Sequence, residues 1–114
     1  MLAFRLDKAI ILDRLGDDEE IFAMMIDMYL QDVESNCNNL SSLLASGDQV
    51  ALQREVHTVK GLLATFVDDD GSAMAADVEI RVKAGDLAQL ELPIAALQVR
   101  LREVAAVLQA EIAG

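Results

Sequence analysis

Hydrophobic residues in the longest segment of the chain recur at alternating steps of four and three positions. The series follows the acidic stretch GDDEE at residues 16–20 and comprises Phe22, Ile26, Leu30, Val33, Cys37, Leu40 and Leu44. This spacing predicts an amphipathic helix with one face in the core, and acidic residues are favourable at its N-terminal end. Because Cys37 lies on the apolar stripe, we interpret it as a small buried side chain rather than a reactive thiol.

Two Gly-Asp pairs mark the ends of further helices. Gly47 is expected to end the first long helix, and Asp48 to cap a second helix that runs to about Phe66. The acidic stretch VDDDGS at residues 67–72 is predicted to be a polar turn. A third helix then extends from near Ser72 to the AGD sequence at residues 84–86.

A proline begins the last helical segment of the chain. Pro93 suits the first turn of a helix, and the apolar residues after it step by four, three and four at Leu97, Leu101, Val104 and Leu108. A short helix is expected from about Arg5 to Leu15. The predicted fold class is therefore all-α, an antiparallel four-helix bundle with a short additional N-terminal helix, in a single domain over residues 1–114.

Charge and composition exclude several classes of function. The net charge of −11 disfavours binding to nucleic acid or to anionic membranes, because the long-range field repels phosphate groups. No stretch approaches the roughly 18 apolar residues that span a bilayer. The single cysteine cannot form an internal disulfide, so nothing requires an oxidising compartment and we expect a cytoplasmic protein.

The only histidine of the chain, His57, lies on the outward face of the second long helix. At about 100° per residue, it points roughly 140° away from the core side of that helix. The core side consists of Leu52, Val56, Val59, Leu63 and Phe66, and the outward neighbours of His57 are Gln53, Arg54, Lys60, Gly61 and Ala64. His57 is therefore expected to be exposed to solvent.

The residues around His57 suit the temporary covalent binding of an anionic group. Lys60 and Arg54 can compensate negative charge beside the imidazole, and Gly61 costs helix stability unless another molecule must approach the backbone there. Neither a serine nucleophile nor a carboxylate pair lies at helical spacing to form a triad or an acid-base pair. A histidine, a lysine and a glycine at this spacing, however, also fit an ordinary surface histidine with no function.

Longer motifs favour a functional histidine over an ordinary surface histidine. HTVKG at residues 57–61 resembles the H-x-x-K-G signature of histidine-containing phosphotransfer (HPt) domains. LLASGDQVALQREVHTVKG resembles the helical hairpin of that family, and VEIRVKAGD at residues 78–86 resembles its L-E-x-x-A-R-x-G-D segment. The resemblance covers roughly residues 12–107, which is most of the chain.

The resemblance implies a function in two-component signalling. His57 would accept a phosphoryl group from the aspartate of a receiver domain and pass it to the aspartate of another receiver. Lys60 would neutralise the phosphoryl oxygens, Gly61 would admit the loops of the receiver, and Glu79 would orient the imidazole. Gln53, Arg54 and Ala64 complete the expected docking face.

The same resemblance implies a phosphoryl carrier rather than an enzyme. Phosphoryl transfer needs positioning and charge compensation more than covalent machinery, and the receiver brings the divalent metal. We therefore expect no cofactor and no metal site on this chain. The expected partners are the receiver domains of response regulators or of a hybrid histidine kinase, bound by a monomer. The resemblance also implies that the chain is either free-standing or a cytoplasmic domain tethered to a membrane sensor kinase.

Three departures from the family pattern bear on specificity. Leu62 stands where many members have Ser or Ala, and it either packs against a neighbouring helix or faces the partner. The acidic turn at residues 67–72 would repel some receivers. Val82 and Lys83 replace Ala and Arg conservatively.

Six of the nine basic residues lie between positions 54 and 102, which favours a basic surface around His57.

Two other functions remain open at this point. The chain could be a non-catalytic helical adaptor that binds or sequesters a receiver domain, although the presence of His57, Lys60 and Gly61 together disfavours that function. His57 could also be a metal ligand, but zinc sites need three or four protein ligands and only scattered carboxylates are available.

Overall fold

Five helices make up the fold in the computed structural model, which describes residues 2–114. They are α1 (Lys8–Arg14), α2 (Glu19–Ser46), α3 (Gln49–Thr65), α4 (Asp69–Lys83) and α5 (Glu91–Ala113). Helix α2 packs against α3 and α5, α4 packs against the same two helices, and α1 rests on α2. The predicted all-α fold class is confirmed. Met1 lies outside the described residues, and the single domain over residues 1–114 stays a prediction.

Four of the five helices within residues 2–114 begin at an aspartate that caps the first turn. In each case the carboxylate accepts a hydrogen bond from the backbone N–H three residues later, at Asp7, Asp18, Asp48 and Asp68. Such a cap satisfies one of the N–H groups that a helix leaves unpaired. The large negative charge of the chain is thus partly a consequence of how its helices start.

The prediction that residues 67–72 form a polar turn is wrong. Asp68 is the cap of α4, and Asp69 and Asp70 already form its first helical turn, where negative charge is favourable. Helix α4 therefore begins three residues before Ser72. The side chain of Asp68 is moreover buried, so only part of this acidic stretch faces solvent.

A common turn ends α1, α2, α3 and α4. Its first residue has a positive φ, and the N–H of the second residue donates to the carbonyl five positions earlier; the pairs are Gly16-Asp17, Gly47-Asp48, Val67-Asp68 and Gly85-Asp86. Glycine suits the left-handed conformation because it lacks a Cβ. Val67, with a φ of 59°, adopts it without that advantage. The missing glycine explains why the sequence did not reveal this turn.

The core combines apolar side chains from every helix. Leu97, Leu101, Val104 and Leu108 are fully buried, as predicted, but the stripe on α2 includes Tyr29, and Leu30 is only partly buried. The sequence pattern placed Leu30 on this stripe and not Tyr29, because the hydroxyl group of tyrosine is polar. In the structure this hydroxyl donates to the Leu101 carbonyl at 2.8 Å, and burial raises the pKa of Tyr29.

Cys37 is buried among these side chains. The residue is 1% exposed, and burial is the main reason that the pKa of its thiol is raised. A raised pKa suppresses the reactive thiolate. The expected role of Cys37 as a small apolar residue therefore agrees with its position.

A buried ion pair fixes the N-terminal segment to α5. Arg100 donates to Asp68 and to the carbonyl of Leu2, and Glu103 accepts a hydrogen bond from the N–H of Phe4 at 2.7 Å. These bonds keep the backbone before Asp7 out of a helical conformation. Helix α1 is consequently shorter than the expected helix from Arg5 to Leu15.

Candidate functional site

Helix α3 presents His57 to solvent because its opposite face is buried. Leu52, Val56, Val59 and Leu63 have no exposed surface, whereas the His57 side chain is 66% exposed. The apolar stripe thus fixes the rotation of the helix, and this rotation places the imidazole outward. The predicted orientation of His57 is confirmed.

A carboxylate from α4 contacts the inner edge of the imidazole. Oε2 of Glu79 lies 3.1 Å from Nδ1 of His57, and the Glu79 side chain is only 6% exposed. An ionised carboxylate only accepts hydrogen bonds, so Nδ1 carries the hydrogen and donates it. The lone pair of the neutral ring is then on Nε2, at the outer edge of the ring.

Lys60 contacts the same carboxylate. Its Nζ donates to Oε1 of Glu79 at 2.8 Å. Lys83 approaches the other oxygen of the carboxylate, with its Nζ 3.8 Å from Oε2. The hydrogen bond from Lys60 is the main reason that the pKa of Glu79 is lowered, and the charges of Lys60, His57 and Lys83 act in the same direction against burial. Glu79 is therefore anionic at neutral pH, as a hydrogen-bond acceptor for Nδ1 must be.

Gly61 and Ala64 form a low, exposed surface one and two turns beyond His57. A Cβ built on Gly61 meets no atom within 4 Å, so nothing inside the protein requires a glycine there. The expectation that Gly61 accommodates another molecule remains consistent with this open space. Leu62 is partly buried and packs against the core, so it belongs to the bundle interior more than to this surface.

An open cleft of about 400 Å³ lies beside the imidazole. It is lined by Val50, Gln53, Arg54, His57, Glu79 and Lys83. The sequence predicted four of these six residues as part of the site, namely Gln53, Arg54, His57 and Glu79. It did not assign Val50 or Lys83 to the site, and it treated Lys83 as a conservative replacement and as one of several basic residues. The available signal was its spacing, because a residue four positions after Glu79 lies on the same face of α4.

Only three of the six basic residues between positions 54 and 102 lie at the site, namely Arg54, Lys60 and Lys83. Arg100 is buried against Asp68, Arg102 pairs with Glu34, and Arg81 donates to the carbonyl of Gln89. The basic surface that the sequence favoured around His57 therefore consists of these three residues. A count along the chain could not distinguish these roles.

The last turn of α4 is held against the start of α3 by a single side chain. Nε2 of Gln49 donates to the carbonyl of Val82 at 2.9 Å and to that of Lys83 at 3.3 Å. These carbonyls lie at the C-terminal end of the helix, where the regular intrahelical donors end. The carbonyl of Val82 also accepts a hydrogen bond from the N–H of Gly85 at 3.0 Å. Gln49 thereby fixes the backbone that carries Glu79 and Lys83 relative to the helix that carries His57.

Residues 2–114 contain neither a cluster of potential metal ligands nor a helix able to span a membrane. No three side chains of His, Cys, Asp or Glu come together in an arrangement that could hold a metal ion. No helix in this part of the chain combines the length and the apolar character needed to cross a membrane.

Comparisons with known proteins identify relatives of this fold and sequence. The family model described as Hpt domain matches residues 24–111. Among solved structures, the crystal structure of the HPT domain from the Hpt sensor hybrid histidine kinase from Shewanella superimposes with a TM-score of 0.81 at 16% sequence identity. That match covers 95% of this chain and 93% of the other. Among curated protein sequences, none matches this chain significantly.

Proposed function

Because this chain belongs to the Hpt domain family, we propose that His57 is the residue that accepts and donates its phosphoryl group. The function of the chain is histidine phosphotransfer within a two-component phosphorelay. One observation supports His57 above all: Glu79 accepts a hydrogen bond from Nδ1, and the opposite nitrogen is thereby the nucleophile on an exposed ring.

The proposed step is an in-line displacement at phosphorus. Nε2 of His57 attacks the phosphorus of a receiver aspartyl phosphate, the N–P bond forms, and the bond between phosphorus and the aspartyl oxygen breaks. The aspartate leaves as a carboxylate. The phosphorylated imidazole becomes cationic because it keeps the hydrogen on Nδ1, and the Glu79 carboxylate 3.1 Å away stabilises that charge. The reverse step delivers the phosphoryl group to the aspartate of a second receiver.

Charge compensation at the phosphoryl oxygens falls to Lys60. Its ammonium group has three donors, and it lies one turn after His57 while bonded to Glu79. Movement of this flexible side chain toward Nε2 would bring a cation to the transferred group. The Lys60 side chain is 32% exposed, so part of it already faces the solvent from which a phosphoryl group would approach.

Receiver docking is assigned to the exposed surface around the imidazole. Gly61 and Ala64 supply the low surface, and Gln53 and Arg54 line the cleft on the other side of the ring. Arg54 also offers a cation to the acidic pocket of a receiver. A partner that brings its own divalent metal would explain why this chain acts as a carrier without a cofactor.

The remaining features of the proposal follow from this role. Hpt domains are phosphoryl carriers that exchange the group with receiver domains. We place this chain in the cytoplasm, as a monomer, with receiver domains of response regulators or of a hybrid kinase as partners and with neither nucleic acid nor membrane lipid as a ligand. The net charge of −11 supports the last two exclusions.

A transfer assay with isolated receiver domains tests the proposal. Each receiver is phosphorylated on its aspartate with labelled acetyl phosphate, purified, and mixed with this protein. An acid-labile, alkali-stable label should appear on the chain, and it reports His57 because no other histidine is present. His57→Gln should abolish the label while leaving the helical circular dichroism spectrum unchanged, since the side chain is exposed.

Two outcomes would contradict the proposal. Labelling that survives the His57→Gln change would place the acceptor elsewhere. Tight binding of a receiver without any transfer, in both the wild-type and the His57→Gln protein, would instead support the adaptor function.

A further inference from the structure

Glu79 has more positive neighbours than the orientation of one imidazole requires. Its buried carboxylate bonds to Lys60 through Oε1 and to His57 through Oε2, and Lys83 also approaches Oε2. The two lysines differ in how firmly they are held. Lys60 makes a hydrogen bond of 2.8 Å, whereas the ammonium of Lys83 is 3.8 Å away on a side chain that is 58% exposed.

Phosphorylation of His57 would disturb this arrangement. The phosphoryl oxygens attract Lys60, and movement of its ammonium toward them weakens its hydrogen bond to Glu79. Losing such a bond without a replacement destabilises a carboxylate that is only 6% exposed, because little water reaches it to take the place of the lost donor. The site therefore needs a second cation for Glu79 whenever Lys60 is engaged elsewhere.

Lys83 is placed to supply that cation. It lies four residues after Glu79 on the same face of α4, and the carbonyls of Val82 and Lys83 are both bonded to Gln49. The backbone is thus fixed while the side chain retains its rotamers. A rotation that shortens the separation from 3.8 Å to hydrogen-bonding distance needs no change in the helix.

We propose that Lys83 is a positioning residue of the phosphorylated state, in which it replaces Lys60 as the hydrogen-bond partner of Glu79. This inference rests on the proposed function of His57. The exchange keeps Glu79 neutralised and bonded to Nδ1 while Lys60 binds the phosphoryl oxygens. Lys83 itself does not touch the transferred group.

Chemical phosphorylation tests this exchange without a receiver. Phosphoramidate transfers its phosphoryl group to Nε2 of histidine: the N–P bond to the ring forms, the P–N bond of the reagent breaks, and ammonia leaves. The wild-type protein is compared with Lys83→Met, with Lys83→Arg as the conservative rescue, and with Arg14→Gln. The last variant removes one exposed positive charge at the end of α1.

The half-life of the phosphohistidine is the first measurement. Without Lys83, Lys60 is divided between Glu79 and the phosphoryl oxygens, so the phosphoryl group is less well compensated and hydrolyses faster. We expect Lys83→Met to shorten the half-life about two- to fivefold, the range produced by partly exposed ion pairs. Lys83→Arg should restore it, and Arg14→Gln should match the wild type.

The exchange of the Nδ1 hydrogen with water is the second measurement. In the unphosphorylated protein Lys60 already neutralises Glu79, so Lys83→Met should change the exchange rate little. After phosphorylation the rate should rise in Lys83→Met alone. If Lys83 replaces Lys60 only after phosphorylation, the two states differ in this way. A merely structural role of Lys83 would change the hydrogen-exchange rate equally in both states.

Several results would overturn the inference. Equal half-lives for the wild type and Lys83→Met, an equal change of the exchange rate in both states, or no rescue by arginine would each do so. If receivers label His57 normally but Lys83→Met behaves as the wild type, only the exchange of lysines is wrong. If neither phosphoramidate nor any receiver labels His57, the proposed function fails together with it.

Discussion

The guanidinium of Arg100 makes two hydrogen bonds to the carboxylate of Asp68, and both side chains are almost completely buried. Nε donates to Oδ2 at 2.8 Å and Nη2 donates to Oδ1 at 2.6 Å. Since Asp68 also caps α4, this pair joins the start of α4 to the middle of α5. The remaining donors of Arg100 reach Leu2 and Glu103, which extends the network to the N-terminal segment.

Breaking this pair should destabilise the fold strongly. Asp68→Asn removes the buried counter-charge of the guanidinium and leaves only the partly exposed Glu103, so we expect a loss of about 3–5 kcal/mol in the free energy of unfolding. Urea denaturation followed by circular dichroism measures it. The matched control is Glu34→Gln, which breaks an exposed pair between Glu34 of α2 and Arg102 of α5 and should have little effect. Similar losses in the two variants would contradict the prediction.

Replacing Val67 by glycine, the residue that the other three turns have at this position, should stabilise the fold. Its φ of 59° is unfavourable for a branched side chain, whereas Gly16, Gly47 and Gly85 occupy the equivalent positions without strain. We expect Val67→Gly to raise the free energy of unfolding by up to about 1 kcal/mol, since relief of strain exceeds the entropy that glycine adds to the unfolded chain. The reverse change, Gly47→Val, should destabilise the fold. A loss of stability in Val67→Gly would show that the packing of this side chain matters more than its strain.

Gly61→Ala should separate stability from transfer. A methyl group at this helical position meets no atom within 4 Å, so we expect stability to increase by about 0.5–1 kcal/mol. The same methyl group would obstruct the approach of a receiver and lower the rate of transfer from it. Ala64→Gly is the control, because it should reduce stability by a similar amount without adding bulk. Unchanged transfer rates in Gly61→Ala would exclude close contact at this residue.

Glu79→Gln should alter the dependence of stability on pH. Folding lowers the pKa of Glu79, so its ionised form contributes stability above the pKa of an unfolded glutamate, near about 4.3. That contribution disappears as the pH falls through the lower folded value. At neutral pH we expect the variant to be less stable by about 1.5–3 kcal/mol, the range for hydrogen bonds to a charged group.

Urea denaturation from neutral to strongly acidic pH measures this difference. The curves of the wild type and Glu79→Gln should converge at the acidic end, where both side chains are uncharged. A difference that persists there would show that Glu79 acts through packing rather than charge.

The orientation of His57 was the most predictable feature of the site. An apolar stripe on α3 determines which face of the helix is buried, and the imidazole lies opposite to it regardless of what the other helices do. The cap at Asp48 and the stop at Gly47 were predictable for a similar reason. They depend on the hydrogen bonds of one turn and the residues that form it.

The start of α4 and the role of Arg100 could not be predicted in this way. Asp68 looks like its neighbours Asp69 and Asp70 in the sequence, and only the guanidinium that α5 brings to it makes it the buried cap. A carboxylate at this place also leaves no room for a side chain at Gly71. Arg100 carries no signal of its burial because its partner lies 32 residues away.

The sequence by itself thus determined the helices, their buried faces and the exposure of one histidine, because hydrophobic period and turn chemistry act over a few residues. The pairing of charges was decided by the tertiary structure. Glu79 meets Lys60 and His57 only because α3 and α4 pack side by side with a particular offset, and the same packing brings Lys83 to the other side of the carboxylate. Contacts between helices depend on that offset, which no local pattern specifies.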